Sequence, residues 1–77
     1  MTTAESRALR LLQLLMLLDA HRAEGIHVAD LAERLGVTCR QAYRDLAGIE
    51  AIRVPVVSPR PGYYTLLDGY RLPRVLQ

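Results

Sequence analysis

A chain of 77 residues, 51% hydrophobic and 23% charged, has the composition of one small folded domain and lacks the polar low-complexity tracts of a disordered segment. Its single cysteine, Cys39, excludes an intramolecular disulfide and a cysteine-built zinc site, and fits a reducing cytoplasm, which is the expected location. The net charge of +2 is unevenly spread: residues 1–33 set Arg7, Arg10 and Arg22 against five acids, whereas residues 34–77 set seven arginines against Asp45, Glu50 and Asp68.

Thr2 with Glu5 three residues on has the form of a capping box, and good helix formers then run without Gly or Pro until Gly25, so a first helix is expected over residues 4–22. The leucine run at residues 9–18 is too short to span a bilayer and is interrupted by Arg10 and Gln13. It also makes a poor signal peptide, since Glu5 precedes it and no small-residue cleavage site follows. At helical spacing its apolar residues cover an arc wider than packing on two short helices needs. The arc reads either as a helix clamped in its own domain's core or as one with a second face for a partner, and on the second reading a dimer or partner interface is expected through Leu11, Leu14 and Leu18.

After Gly25, residues 26–28 read as a short extended segment, and residues 30–35 carry Leu31, Ala32 and Leu35 at helical spacing before Gly36, a residue suited to a left-handed cap. Val37 reads as a buried turn residue. Thr38 and Gln41 form a second capping box that opens a helix over residues 38–52, with Ala42, Leu46 and Ile49 on its buried face. Helix, glycine turn and capped helix form a helix-turn-helix layout. Two β-rich runs, residues 53–57 and 63–67, flank the turn Ser58-Pro59-Arg60-Pro61-Gly62 and predict a hairpin, with Pro55 confining its run to an edge. The expected fold is α+β, mostly α: a winged helix-turn-helix of three helices and a two-stranded wing. It should occupy residues 1–67, with residues 68–77 as a tail or linker.

Such a helix fits the major groove of double-stranded DNA, where Arg, Gln and Asn match the hydrogen-bonding edges of bases. With Ala42, Leu46 and Ile49 turned inward, Thr38, Cys39, Arg40, Gln41, Tyr43 and Arg44 are the candidate DNA-binding residues, joined by Arg60 at the tip of the wing. Arg40 and Arg44 share one side and suit a guanine edge and a phosphate. Gln41 has two roles open to it, a base contact or the return bond of the capping box. Tyr43 suits a phosphate, and Asp45 suits an internal arginine, Arg44 or Arg34. His21 and His27 lack metal-ligand spacing, and His27 is expected near the N-terminus of the second helix. No catalytic constellation or phosphate-cradling loop is visible, so neither an enzyme nor a cofactor or metal is expected.

Arg10-Leu11-Leu12, the stretch from Asp30 to Thr38, Tyr43-Arg44-Asp45-Leu46, Val54-Pro55-Val56, Gly62-Tyr63 and Gly69-Tyr70-Arg71-Leu72-Pro73 resemble, in that order, the N-terminal DNA-binding region of bacterial WYL-domain transcriptional regulators. The resemblance implies a winged helix, sequence-specific DNA binding and a homodimer. Cys39 stands where the family generally has an arginine, and Ser58-Pro59-Arg60-Pro61 replaces its Gly-rich wing, giving a stiffer one. The ligand-sensing WYL domain has no counterpart in these residues, which implies a standalone relative or the DNA-binding part of a longer regulator with a C-terminal sensor. The alternative is a winged-helix interaction module that docks another protein through its Leu-rich first helix.

Overall fold

The computed structural model describes residues 4–72, so the capping box expected at Thr2 lies outside the described residues. Helix α1 spans Ala4–Ala20. It ends two residues earlier than expected, in a turn over residues 21–24. A short strand β1, Ile26–His27, leads directly into α2, Val28–Leu35. His27 caps that helix, its ring Nδ1 accepting from the Ala29 N–H at 3.1 Å. At the other end Gly36 adopts φ 71°, and the Val37 and Gly36 N–H groups bond back to the Ala32 and Glu33 carbonyls. This is the paired closure that a left-handed residue allows, and glycine adopts it without steric cost.

Helix α3, Cys39–Ala51, is capped by Thr38, whose Oγ1 accepts from the Gln41 N–H at 3.1 Å. Ala42, Leu46 and Ile49 are buried, as their spacing predicts. The same paired closure ends α3, with Val54 N–H to Ile49 O and Arg53 N–H to Glu50 O, but here the left-handed residue is Arg53, at φ 74°.

The wing consists of β2, Val56–Arg60, and β3, Tyr63–Leu66. The expected five-residue turn is in fact two residues, Pro61 and Gly62. Val57 pairs with Thr65 but Arg60 pairs with Tyr63, so β2 carries one extra residue, and this bulge draws Ser58, Pro59 and Arg60 into the strand. Gly62 has φ 82°, and a Cβ there would meet His27 Nε2 at 3.0 Å. The sheet has three strands, in the order β1-β3-β2, because β1 pairs antiparallel with β3 through Ile26 with Tyr64 and His27 with Tyr63. The two-stranded expectation missed this because a two-residue strand carries no alternation to read. The architecture is a winged helix-turn-helix, mostly helical.

One apolar core joins these elements, with Leu14, Leu18, Leu31, Ile49 and Leu66 fully buried. Leu14 and Leu18 are 0% exposed, which corrects their assignment to a partner interface, while Leu11 is half-buried against the same cluster. Their side of α1 faces the domain's own interior. The opposite side carries Leu9, 59% exposed, and Met16, 53% exposed. Leu72 is also buried in this core, so packing continues past Leu67 into the segment expected to be a tail.

Candidate nucleic-acid interface

The start of α3 is the most exposed part of the helix-turn-helix. Thr38, Cys39, Arg40, Tyr43 and Arg44 all face solvent, while Gln41 is half-buried. Among the described residues neither Arg40 nor Arg44 forms an ion pair, so both guanidiniums are presented with no intramolecular counter-charge.

The reason lies on the other side of the helix. Asp45 is fully buried and takes a fork of two bonds from Arg10 of α1: Nε donates to Oδ2 at 2.6 Å and Nη2 to Oδ1 at 3.2 Å. The sequence reading gave Asp45 to Arg44 or Arg34, and the structure gives it to Arg10. Burial by itself would raise the Asp45 carboxyl. Hydrogen bonds from Arg10 and Gln41, with the charges of Arg10 and Arg7, outweigh burial and hold it below the usual carboxylate range. The same bond to Asp45 raises the Arg10 guanidinium. Arg10 was missed as a site residue, although it had a signal: it interrupts a leucine run on a helix whose neighbouring positions pack inward.

Gln41 does not return to the cap. Its Nε2 donates to Asp45 Oδ1 at 3.0 Å, so the Thr38–Gln41 capping box forms only its Thr38 half. Tyr43 packs edge-to-face on Tyr64 of β3, with centroids 6.0 Å apart and planes at 89°. The two tyrosines line an open cleft of about 310 Å³ between α3 and the wing, together with Glu50, Val57 and Ser58. Burial, the Tyr43 side chain and the charge of Glu50 all push the Tyr64 hydroxyl up. Tyr64 was not singled out in the sequence, since a tyrosine in a strand reads as packing.

Arg60 is exposed at the end of β2 and lies over the Tyr63 ring at 3.8 Å from its centroid. Tyr63 in turn meets His27 edge-to-face, with centroids 5.1 Å apart. The wing arginine is therefore mounted on a ring stack that reaches back to the first residue of the helix-turn-helix, not on the two prolines alone.

An exposed, arginine-bearing second helix, a glycine-closed turn before it and a β-wing beside it define a winged helix-turn-helix DNA-binding domain. The chain belongs to the HTH domain family, whose model matches residues 10–64. Among curated proteins none matches the chain. Among the described residues no helix is long and apolar enough to cross a membrane.

Proposed function

We propose that this domain recognises specific sites on double-stranded DNA as a transcriptional regulator, or as the DNA-binding part of one. The start of α3 enters the major groove and the wing follows the adjacent minor groove or backbone. The observation that carries the reading is the charge separation across α3: Asp45 is neutralised inside the protein by Arg10, so the outer face offers Arg40 and Arg44 to a polyanion without an acid beside them. One of these arginines suits a guanine edge and the other a phosphate, as do Thr38, Cys39 and Tyr43 around them and Arg60 on the wing. The resemblance of its motif order to WYL-domain regulators supports the same assignment and adds a homodimer, either of a standalone relative or of a longer regulator with a C-terminal sensor domain. With Leu14 and Leu18 in the core, the exposed large apolar side chains of α1 that a second copy could meet are Leu9 and Met16, with Leu11, Leu12 and Leu17 half-buried.

Selection from random duplex DNA with the purified protein tests the proposal. Enrichment of a defined motif is expected, with binding that weakens steeply as salt rises because phosphate contacts release counterions. The double variant Arg40→Ala, Arg44→Ala should bind that motif at least about tenfold more weakly. No enriched motif, or an unchanged affinity in the double variant, overturns it. The interaction-module reading would gain if duplex binding were absent while the protein bound a different protein and Leu9→Glu with Met16→Glu abolished that binding.

A further inference from the structure

Gln41 lies in the first turn of α3, yet its amide is held from inside the domain. A carboxylate only accepts hydrogen bonds, so the group facing Asp45 Oδ1 at 3.0 Å is necessarily the nitrogen of the Gln41 amide. The amide oxygen is left over. Among the described residues Gln41 Oε1 accepts no hydrogen bond, and no buried side-chain oxygen lacks a partner, so this oxygen reaches solvent. The polarity of Gln41 is thus set by two residues packed behind it: Asp45, fully buried, and Arg10, partly buried, whose fork fixes both oxygens of that carboxylate.

We propose that Gln41 reads the amino group of one base through its outward amide oxygen, and that Arg10 and Asp45 are positioning residues that impose this polarity. This rests on the reading of the domain as a duplex-DNA binder. In the major groove adenine N6 and cytosine N4 offer a donor, whereas guanine O6 and thymine O4 offer only acceptors that the Gln41 oxygen repels. Adenine suits best, because the second Nε2 hydrogen remains free for its N7.

Asp45→Asn tests the polarity directly. The 2.6 Å bond from Arg10 Nε retains an oxygen at the Oδ2 position, which places the new amide nitrogen where Oδ1 was and gives up the longer 3.2 Å bond from Arg10 Nη2. That nitrogen donates, so the Gln41 amide turns over and presents its own nitrogen to the groove. In selections from random duplex DNA the wild-type motif should contain one position restricted to adenine or cytosine on one strand. Asp45→Asn should invert that position to guanine or thymine, and Gln41→Ala should relax its preference by about tenfold, with the other positions and the salt dependence unchanged. A wild-type motif that both variants leave unaltered, or a loss spread evenly over all positions in Asp45→Asn, overturns the proposal while leaving DNA binding intact. Absence of any wild-type motif overturns the underlying reading and this inference with it. Should Asp45→Asn fail to fold, the wild-type protein decides by NMR. One Gln41 side-chain amide proton protected from exchange supports the arrangement, and two rapidly exchanging protons overturn it.

Discussion

The two faces of α3 carry charge in opposite ways. On the inner face the buried Asp45 and the partly buried Arg10 form a fork, 0% and 19% exposed in their side chains, and the pair joins the first helix to the third across 35 residues of sequence. On the outer face Arg40 and Arg44 are exposed and unpaired among the described residues. A buried charge needs its partner to survive desolvation, whereas an exposed one is stable alone and free to bind something else. The helix therefore separates its charges, with Asp45 drawn inside and Arg40 and Arg44 left on the outer face.

The inner pair offers the largest way to break this arrangement. Arg10→Met leaves the Asp45 carboxylate buried with little compensation and should cost about 3 kcal/mol at neutral pH, measured by denaturant unfolding. The pH dependence should change as well. In the wild type Asp45 titrates below its unfolded value, so its contribution is fully present above about pH 4 and fades as the pH falls through the depressed pKa. In Arg10→Met burial dominates and raises that pKa, so the variant's deficit should narrow on acidification. A deficit independent of pH would refute the electrostatic account.

On the outer face the contrast predicts the reverse. Arg40→Ala with Arg44→Ala should shift stability by no more than about 0.5 kcal/mol while weakening duplex binding, since neither side chain contributes an intramolecular ion pair. Thr38→Ala removes the cap that starts this face and should cost about 1 kcal/mol of stability. The smallest effect is expected where α3 ends. Its left-handed residue is an arginine at φ 74°, whereas α2 uses Gly36 in the same role, so Arg53→Gly should stabilise the domain by about 0.5–1 kcal/mol. Thermal unfolding checks both, and a destabilised Arg53→Gly would mean that the arginine side chain makes up for its backbone strain.

Some of the candidate site was legible because its physics is local. Thr38 caps α3 through a bond to a residue three positions on, Gly36 closes α2 through bonds to residues within the preceding turn, and His27 stands at the N-terminus of α2 as expected. Helical spacing alone put Ala42, Leu46 and Ile49 inside, which left Arg40, Tyr43 and Arg44 outside.

What only the tertiary structure decided involves partners distant in sequence. Spacing showed that α1 has a wide apolar arc but not which edge of it meets the core. The packing of α2, α3 and β3 chose the side bearing Leu14 and Leu18 and left Leu9 and Met16 exposed. A strand of two residues becomes a strand only by pairing, so β1 existed only once β3 lay beside it. Asp45 had several arginines in reach on paper. Its choice of Arg10 depended on how two helices cross, and with that choice came the orientation of Gln41 and the freedom of Arg44. The sequence by itself determined the helix-turn-helix and the caps that frame it, because these rest on bonds within a few residues. Which charges face outward was decided by the fold, because a charge is exposed or paired only relative to its neighbours in space.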